Sequence, residues 1–303
     1  MSVMNDTKLF VIVVTYKGHQ WYDRCFTSLR ESELPIQTIV IDNASNDGTV
    51  EYIREHFPEI HLIESKENLG FGRANNIGMR YALDHGCDYV FLLNQDAWIE
   101  SNALNELVRI HKKYPEYGIL SPMHLTKEKN HFNILIDDGN RNYELMSDFY
   151  FGIKREIYPV KYVNAAAWLM PRKTLETIGG FTPIFLQYGE DDDYINRMHY
   201  HNLSVGLCSN VSIVHDHTTL INTLTGGKVR HLQSTLFELL DLNKNITIDS
   251  VQSSFIRRMI KSFFKCSWIE FTKALNDYRY IKNKKTEIIQ SREINKKTGN
   301  NWL

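Results

Sequence analysis

Tyr89-Val90-Phe91-Leu92-Leu93-Asn94-Gln95-Asp96 is an unbroken apolar run that ends abruptly in two amides and a carboxylate. The apolar part lacks the alternation of a half-exposed strand, so it reads as a parallel strand buried on both faces. Open α/β sheets bind ligands outside the C-terminal ends of their strands, which puts Asp96 on the expected ligand edge. A hard divalent cation carrying a diphosphate takes one or two carboxylates plus phosphate oxygens, and Asp96 is placed to supply one. Taken alone, Asp96 is equally compatible with a plainer role, capping the helix that starts near Ser101.

The flanking sequence supports the sheet. Leu9 to Tyr16 is a β-rich run, and Tyr22, Cys25, Phe26 and Leu29 then recur at helical spacing. Ile36 to Ile41 is a second strand, followed by the polar turn Asp42 to Gly48. Thr49 to His56 reads as a short helix before Pro58, Ile60 to Ile63 as a third strand, and Arg73 to His85 as a helix stopped by Gly86. Leu104, Leu107 and Val108 mark one face of a further helix. This alternation predicts an α/β fold with a mainly parallel, Rossmann-like sheet flanked by helices. Side by side, the strand ends carrying Thr15, Asp42 and Asp96 line one edge. From Gly118 to Tyr162 the pattern loosens into acceptor-side sheet and loops, with a hairpin expected at Asp138-Gly139.

Three clusters carry chemistry. Asp42-Asn43-Ala44-Ser45-Asn46-Asp47-Gly48-Thr49 sets a carboxylate and a polar turn at a strand end, where a base or ribose could be bound; turn formation alone explains the same residues. Glu190-Asp191-Asp192-Asp193 packs four carboxylates together, favourable at a helix start or as the source of a general base. His215-Asp216-His217 follows the short strand Val211 to Val214 and offers either a metal ligand or an exposed loop histidine. An ordinary dinucleotide site is improbable, because the turn after the first strand is Tyr16-Lys17-Gly18-His19-Gln20 and lacks the glycine pattern. Gly70-Phe71-Gly72-Arg73 imitates that pattern but has Asn75 at the third glycine.

The 303 residues carry a net charge of -1, which argues against a nucleic-acid partner. Cys25, Cys87, Cys208 and Cys266 are far apart, so neither a zinc site nor a disulfide framework is expected, and a reducing compartment fits. Met1 to Lys8 has no apolar core of a signal peptide, and no run reaches the roughly 20 apolar residues that span a bilayer. The expected location is cytoplasmic.

Together these residues resemble the family 2 glycosyltransferases of the GT-A fold, over about Leu9 to Leu220. Val13-Val14-Thr15-Tyr16 is similar to the opening strand that ends at the nucleotide. Asp42-Asn43-Ala44-Ser45 with Asp47-Gly48-Thr49 is similar to a D-N-x-S-x-D-G-T signature. Asn68-Leu69-Gly70-Phe71-Gly72-Arg73-Ala74-Asn75-Asn76 resembles the N-x-G-x-x-x-A-x-N segment beneath the donor. Asn94-Gln95-Asp96 stands where the D-x-D metal motif belongs, with Asn94 in place of its first Asp. Gly179-Gly180-Phe181 followed by Glu190-Asp191 is similar to the G-G-F…E-D element, and His215 matches a later histidine near metal and diphosphate. Leu92-Leu93-Asn94 with Asp96 resembles the branch that includes rhamnosyltransferases.

The resemblance implies inverting transfer from a nucleotide-diphosphate sugar to a hydroxyl of a glycan or lipid-linked saccharide. It implies Asp191 as the base and Mg²⁺ or Mn²⁺ held by Asp96 and His215. Thr15, Tyr16, Asp42, Asn68, Gly70, Arg73 and Asn94 would then lie against the donor. Residues 1–220 would form the catalytic domain and 221–303 a helical, basic extension. A sugar-phosphate nucleotidyltransferase and a non-catalytic nucleotide-sugar-binding protein are the alternatives; a glycoside hydrolase also uses paired carboxylates but needs no metal–diphosphate edge. In the extension, Phe255, Met259, Phe263, Phe264 and Trp268 alternate with Arg257, Arg258, Lys261 and Lys265. Two uses fit: packing on the catalytic domain or a partner copy, which is favoured, and an amphipathic helix lying on the inner face of an anionic membrane.

Overall fold

A computed structural model describes residues 7–132, 143–216 and 224–303. The Asp138-Gly139 hairpin and His217 lie outside the described residues. The N-terminal part runs β1 (Leu9–Thr15), α1 (His19–Arg30), β2 (Ile36–Asp42), α2 (Thr49–His56), β3 (His61–Glu64), α3 (Gly70–Asp84) and β4 (Tyr89–Asn94). Next come β5 (Ala97–Ile99), α4 (Ala103–Lys113), β6 (Tyr117–Leu125), α5 (Tyr143–Phe151), β7 (Ile157–Val160), β8 (Ala167–Pro171) and α6 (Arg172–Ile178). The chain ends with α7 (Glu190–Tyr200), β9 (Ser204–His215), α8 (Leu224–Leu240), α9 (Ile248–Phe264) and α10 (Trp268–Asn295).

One sheet runs in the order β3-β2-β1-β4-β8-β6-β9-β5, with β7 paired to β9. The strands β3, β2, β1 and β4 are parallel to one another, as the alternation predicts. Beyond β4 the sheet is mixed: β8 runs antiparallel to both β4 and β6, and β9 returns parallel to β6. Successive residues of β1 divide between the two faces. Leu9, Val11 and Val13 pack with Tyr22, Phe26, Ile53 and Leu107 of α1, α2 and α4. Phe10 and Ile12 pack with Met79, Leu175, Ile178 and Met198 of α3, α6 and α7. This two-sided burial explains why β4 is apolar throughout and not alternating.

Register puts the chemistry on one edge. Thr15 pairs with Asp42, and Val14 pairs with Asn94, so the ends of β2, β1 and β4 are level. The helix α3 begins at Gly70 and not at Arg73, three residues earlier than its pattern predicts. Gly70 has φ +78°, and a Cβ there would collide with the Leu186 carbonyl. Glycine is therefore required for the loop before α7 to touch the start of α3.

The C-terminal helices gather on Ile184 and Phe185, with Leu236, Leu239 and Leu240 of α8, Phe255 of α9, and Ile281 and Ile288 of α10. The basic segment read from sequence as one amphipathic stretch is two helices, joined by a turn in which Cys266 has φ +51°. After α10 the chain returns to the sheet domain: Gly180 N–H donates to the Asn301 carbonyl at 2.8 Å, and Gly299 N–H to Thr177 at 3.0 Å.

Candidate functional site

The edge is held by side chains that reach between strand ends. Thr15 Oγ1 donates to Asp42 Oδ1 at 3.0 Å, and Ser45 N–H donates to Asp42 Oδ2 at 2.8 Å. Each carboxylate oxygen keeps a further lone pair, so these bonds orient Asp42 without exhausting it. Asn43 Nδ2 donates to the Gly70 carbonyl at 3.1 Å, while its Oδ1 accepts from Leu69 N–H at 3.1 Å. Asn68 Oδ1 accepts from Gly70 N–H at 2.9 Å. Gln95 clamps the backbone of Tyr16, accepting from its N–H at 2.9 Å and donating to its carbonyl at 3.2 Å. Tyr16 itself is exposed at the rim. Arg73 is also exposed, with Nε bonded to the Pro183 carbonyl at 3.0 Å.

Asp96 and His215, far apart in sequence, meet because β5 pairs antiparallel with β9 and sets Ala97 opposite His215. His215 Nε2 lies 3.3 Å from Asp96 Oδ1 and 3.5 Å from Asn94 Nδ2. His215 is the last residue of β9 and is buried, which settles it against the exposed loop histidine that the sequence left open. Its ring stands edge-on to His124, with centroids 5.9 Å apart. Burial first, then neighbouring His215, pushes the His124 imidazole down to about 3, so it stays neutral; Ser121 Oγ lies 3.1 Å from its Nε2. Asp216 serves a different purpose, bound by Trp21 Nε1 at 3.2 Å and Lys127 Nζ at 2.9 Å.

Among the described residues no three His, Cys, Asp or Glu side chains gather as a closed metal cage. Asp96 and His215 with the Asn94 amide form a partial donor set at an open edge. That fits a Mg²⁺- or Mn²⁺-type ion that completes its shell with diphosphate oxygens and water.

The four acids of α7 separate by direction. Successive helix positions turn by about 100°, so Glu190, Asp193 and Arg197 share the buried face, while Asp191 and Asp192 turn out of it. Asp193 Oδ2 accepts from Thr182 Oγ1 at 2.6 Å and from Arg197 Nε at 2.9 Å. Arg197 goes on to donate to the Ile178 and Gly180 carbonyls at 2.9 and 2.8 Å. Asn76 grips the same segment, accepting from Phe181 N–H at 2.7 Å and donating to its carbonyl at 2.9 Å. Asp193 is thus committed to structure; removing one partner of such a buried pair costs about 3–5 kcal/mol. Half-buried Asp191 receives a hydrogen bond from Tyr162 Oη at 2.8 Å. Burial, then the Asp191 and Asp192 charges, hold the Tyr162 phenol above its ordinary range, so it remains a donor.

Glu190 is only 7% exposed, and its Oε2 has no hydrogen-bond partner among the described residues. Burial, then the Asp191 charge, pushes its carboxyl up to about 8 from the ordinary 4.5. Between those values the unfolded chain has lost a proton that the folded chain retains. Stability therefore falls as pH rises through this window, by at most about 1.4 kcal/mol per pH unit from this group. Thermal unfolding from pH 5 to pH 8 is expected to show this decline, and Glu190→Gln is expected to flatten it and to be the more stable protein at pH 8. An unchanged pH slope in the variant would mean that Glu190 is ionised in the fold.

Tyr162 and His124 as site residues, and the buttressing roles of Gln95, Asn43 and Asn76, are absent from the sequence reading. Asn43 and Asn76 lie inside quoted motifs and could have been noticed; Tyr162 and His124 carry no local signal.

A mixed sheet whose parallel half ends in a polar edge, with acids on a facing helix start, is the GT-A architecture of glycosyltransferases. A mannosyltransferase from Pyrobaculum calidifontis, solved with GDP-Man and Mn²⁺, superposes with a TM-score of 0.56 at 17% identity, covering 95% of this chain and 73% of that one. S. aureus TarS in complex with UDP gives 0.53 at 13% identity, covering 93% and 92%. Residues 10–179 match the family model described as glycosyl transferase family 2, and the chain belongs to that family. Among curated relatives, a low-salt glycan biosynthesis hexosyltransferase of Haloferax volcanii is 26% identical over 69% of this chain and 67% of its own length. An N-acetylglucosaminyl-diphospho-decaprenol L-rhamnosyltransferase of Mycobacterium tuberculosis is 24% identical over 62% and 69%. These relatives agree with the rhamnosyltransferase-like branch suggested by the sequence around Asp96.

Proposed function

We propose that this glycosyltransferase moves a hexosyl or deoxyhexosyl unit, with inversion, from a nucleotide-diphosphate sugar to a hydroxyl of a glycan or lipid-linked saccharide. The observation that carries the reading is the convergence of Asn94, Asp96 and His215 at the strand edge that also holds Thr15 and Asp42. Asp42, at the adjoining strand end, is oriented to accept from a base, with the Asn68–Gly70 turn beneath the donor. Asp96 and His215 would hold Mg²⁺ or Mn²⁺, which when bound supplies Lewis-acid stabilisation of the departing diphosphate. Asp191 takes the acceptor proton as the hydroxyl attacks the anomeric carbon, and the hydrogen bond from Tyr162 orients it. The acceptor class rests on the mycobacterial relative, which is named for transfer to a decaprenol-linked sugar. Residues 1–220 serve as the catalytic domain in this reading, and 221–303 as an extension that braces the G-G-F segment.

Incubation with a panel of nucleotide sugars, with and without Mn²⁺, followed by product analysis and assignment of the anomeric configuration, tests the proposal. Transfer with inversion is expected. Retention would remove Asp191 as a simple base, and formation of nucleotide sugar from a nucleoside triphosphate and sugar 1-phosphate would favour a nucleotidyltransferase. Tyr162→Phe is expected to lower kcat by roughly 10–100-fold, since the base then loses the bond that orients it and a misplaced catalytic group costs up to about 10²-fold. The donor KM should not change. A raised KM with normal kcat would make Tyr162 a donor-binding residue instead.

A further inference from the structure

We propose that the turn joining α9 to α10 is a membrane-inserting tip that docks the enzyme on an anionic lipid surface. The observation is an inverted distribution of side chains. Between Ile256 and Phe271 the fully buried residue is Ser262, whereas Ile260, Phe263, Phe264, Trp268 and Ile269 are exposed, the last three at 80%, 66% and 85%. A hairpin that only braces the catalytic domain would put those groups inside, as Phe255, Ile281 and Ile288 do nearer the body. Of the favoured sequence reading, packing on the catalytic domain or a partner copy, the first half holds for Phe255, which is buried, and not for Phe263, which is exposed on the single chain.

The arrangement is that of an interfacial helix end. Ile256, Ile260, Phe263 and Phe264 recur at helical spacing and form one stripe, and Arg257, Lys261 and Lys265 form the next stripe around α9. Phe263 meets the Trp268 ring edge-on across the turn at 6.2 Å, so the aromatic groups make one surface. From Ile256 to Lys273 the charged side chains are Arg257, Arg258, Lys261, Lys265 and Lys273 against Glu270 alone, while the chain as a whole is near neutral. This local charge selects an acidic surface, and aliphatic stems of Lys and Arg can lie along the apolar zone with their charges at headgroup level. Among the described residues no helix is long and apolar enough to cross a membrane, so the contact is peripheral. The far end of α10 bonds the catalytic domain, with Asn295 Nδ2 donating to Thr182 Oγ1 at 3.1 Å. A rigid helix thus links the tip to the segment that carries the acids. The proposal does not depend on the sugar-transfer reading, because its test requires no turnover.

Cys266 lies in the turn and is exposed, whereas Cys25, Cys87 and Cys208 are buried, so the full-length protein can be labelled there with an environment-sensitive fluorophore. Phosphatidylcholine vesicles with added phosphatidylglycerol are expected to sediment the protein and blue-shift the label. Vesicles of phosphatidylcholine alone should do neither. Raising ionic strength should lower partition about tenfold or more, since each Lys or Arg near the surface contributes about 1 kcal/mol. Phe264→Ser with Ile269→Ser should remove the blue shift, and Lys261→Glu with Lys265→Glu should abolish sedimentation, both with unchanged thermal unfolding. Point substitutions are preferred to truncation, which would strip Asn295 and Asn301 from Thr182 and Gly180. Absence of binding to anionic vesicles overturns the proposal. So does a dimer in sedimentation velocity that the Phe264→Ser, Ile269→Ser variant dissociates while lipid has no effect, because the surface would then belong to a second copy.

Discussion

Asp96→Ala is expected to weaken binding of a nucleoside diphosphate in the presence of Mn²⁺ by roughly 10²–10³-fold, the loss of a few kcal/mol of cation-mediated attraction. The fold should survive. The backbone carbonyl of Asp96 still accepts from Asp216 N–H at 2.8 Å, and the β5–β9 pairing that follows does not use the side chain. Calorimetry with the diphosphate, with and without metal, separates the two contributions: the variant should bind as weakly with Mn²⁺ as the parent does without it. His215→Ala should move in the same direction by less, because Asp96 supplies the negative charge. Full metal-dependent affinity in Asp96→Ala would remove the metal from this edge and leave the carboxylate only its contact with His215. The capping role that the sequence also offered does not hold, because Asn102 is the N-cap of α4.

Asp191→Asn is expected to cost roughly 10²–10⁴-fold in transfer rate, the usual range for loss of a general base, with donor affinity unchanged. The neighbouring acids provide internal controls. Asp193→Asn should show itself first as lost stability, because Arg197 would keep its charge in a buried site with a weaker partner. Glu190→Gln should retain most of the rate, since the carboxyl that it replaces faces the interior and burial shifts it toward the neutral form. If Glu190→Gln carried the large rate effect and Asp191→Asn did not, the base would be misassigned. Single-turnover measurements at saturating donor distinguish a chemical defect from altered product release.

Much of this site was legible before any tertiary structure, and the reason is local. The buried strand into Asp96, the strand ending at Thr15 and the turn after Asp42 each announce themselves within a few residues. Parallel pairing then leaves little freedom about which ends come level. The helix start at Glu190 was legible too, because a run of acids suits the positive end of a helix. The α3 boundary was not, since Gly70 takes its left-handed conformation under the Leu186 carbonyl, 116 positions further along the chain. The mixed half of the sheet was also hidden: β8 is as apolar as a parallel strand, and direction is set by its neighbours rather than by its composition.

By itself, then, the sequence determined the α/β class, the edge that carries Thr15, Asp42 and Asp96, and the candidates for each role. All of these follow from hydrophobic period and from motif spacing along one continuous segment. Only the tertiary structure decided which candidates meet. His215 reaches Asn94 across 121 positions because β5 pairs with β9. Asp191 stands apart from Glu190 and Asp193 because a helix turns each residue into a different environment, with Tyr162 and Thr182 arriving from outside the helix and Arg197 from one turn further along it. The same holds for the C-terminal helices. Their aromatic and basic pattern is plain in the sequence, but whether an apolar side chain faces a core or water is a property of what packs against it, and Phe264, Trp268 and Ile269 stay exposed among the described residues.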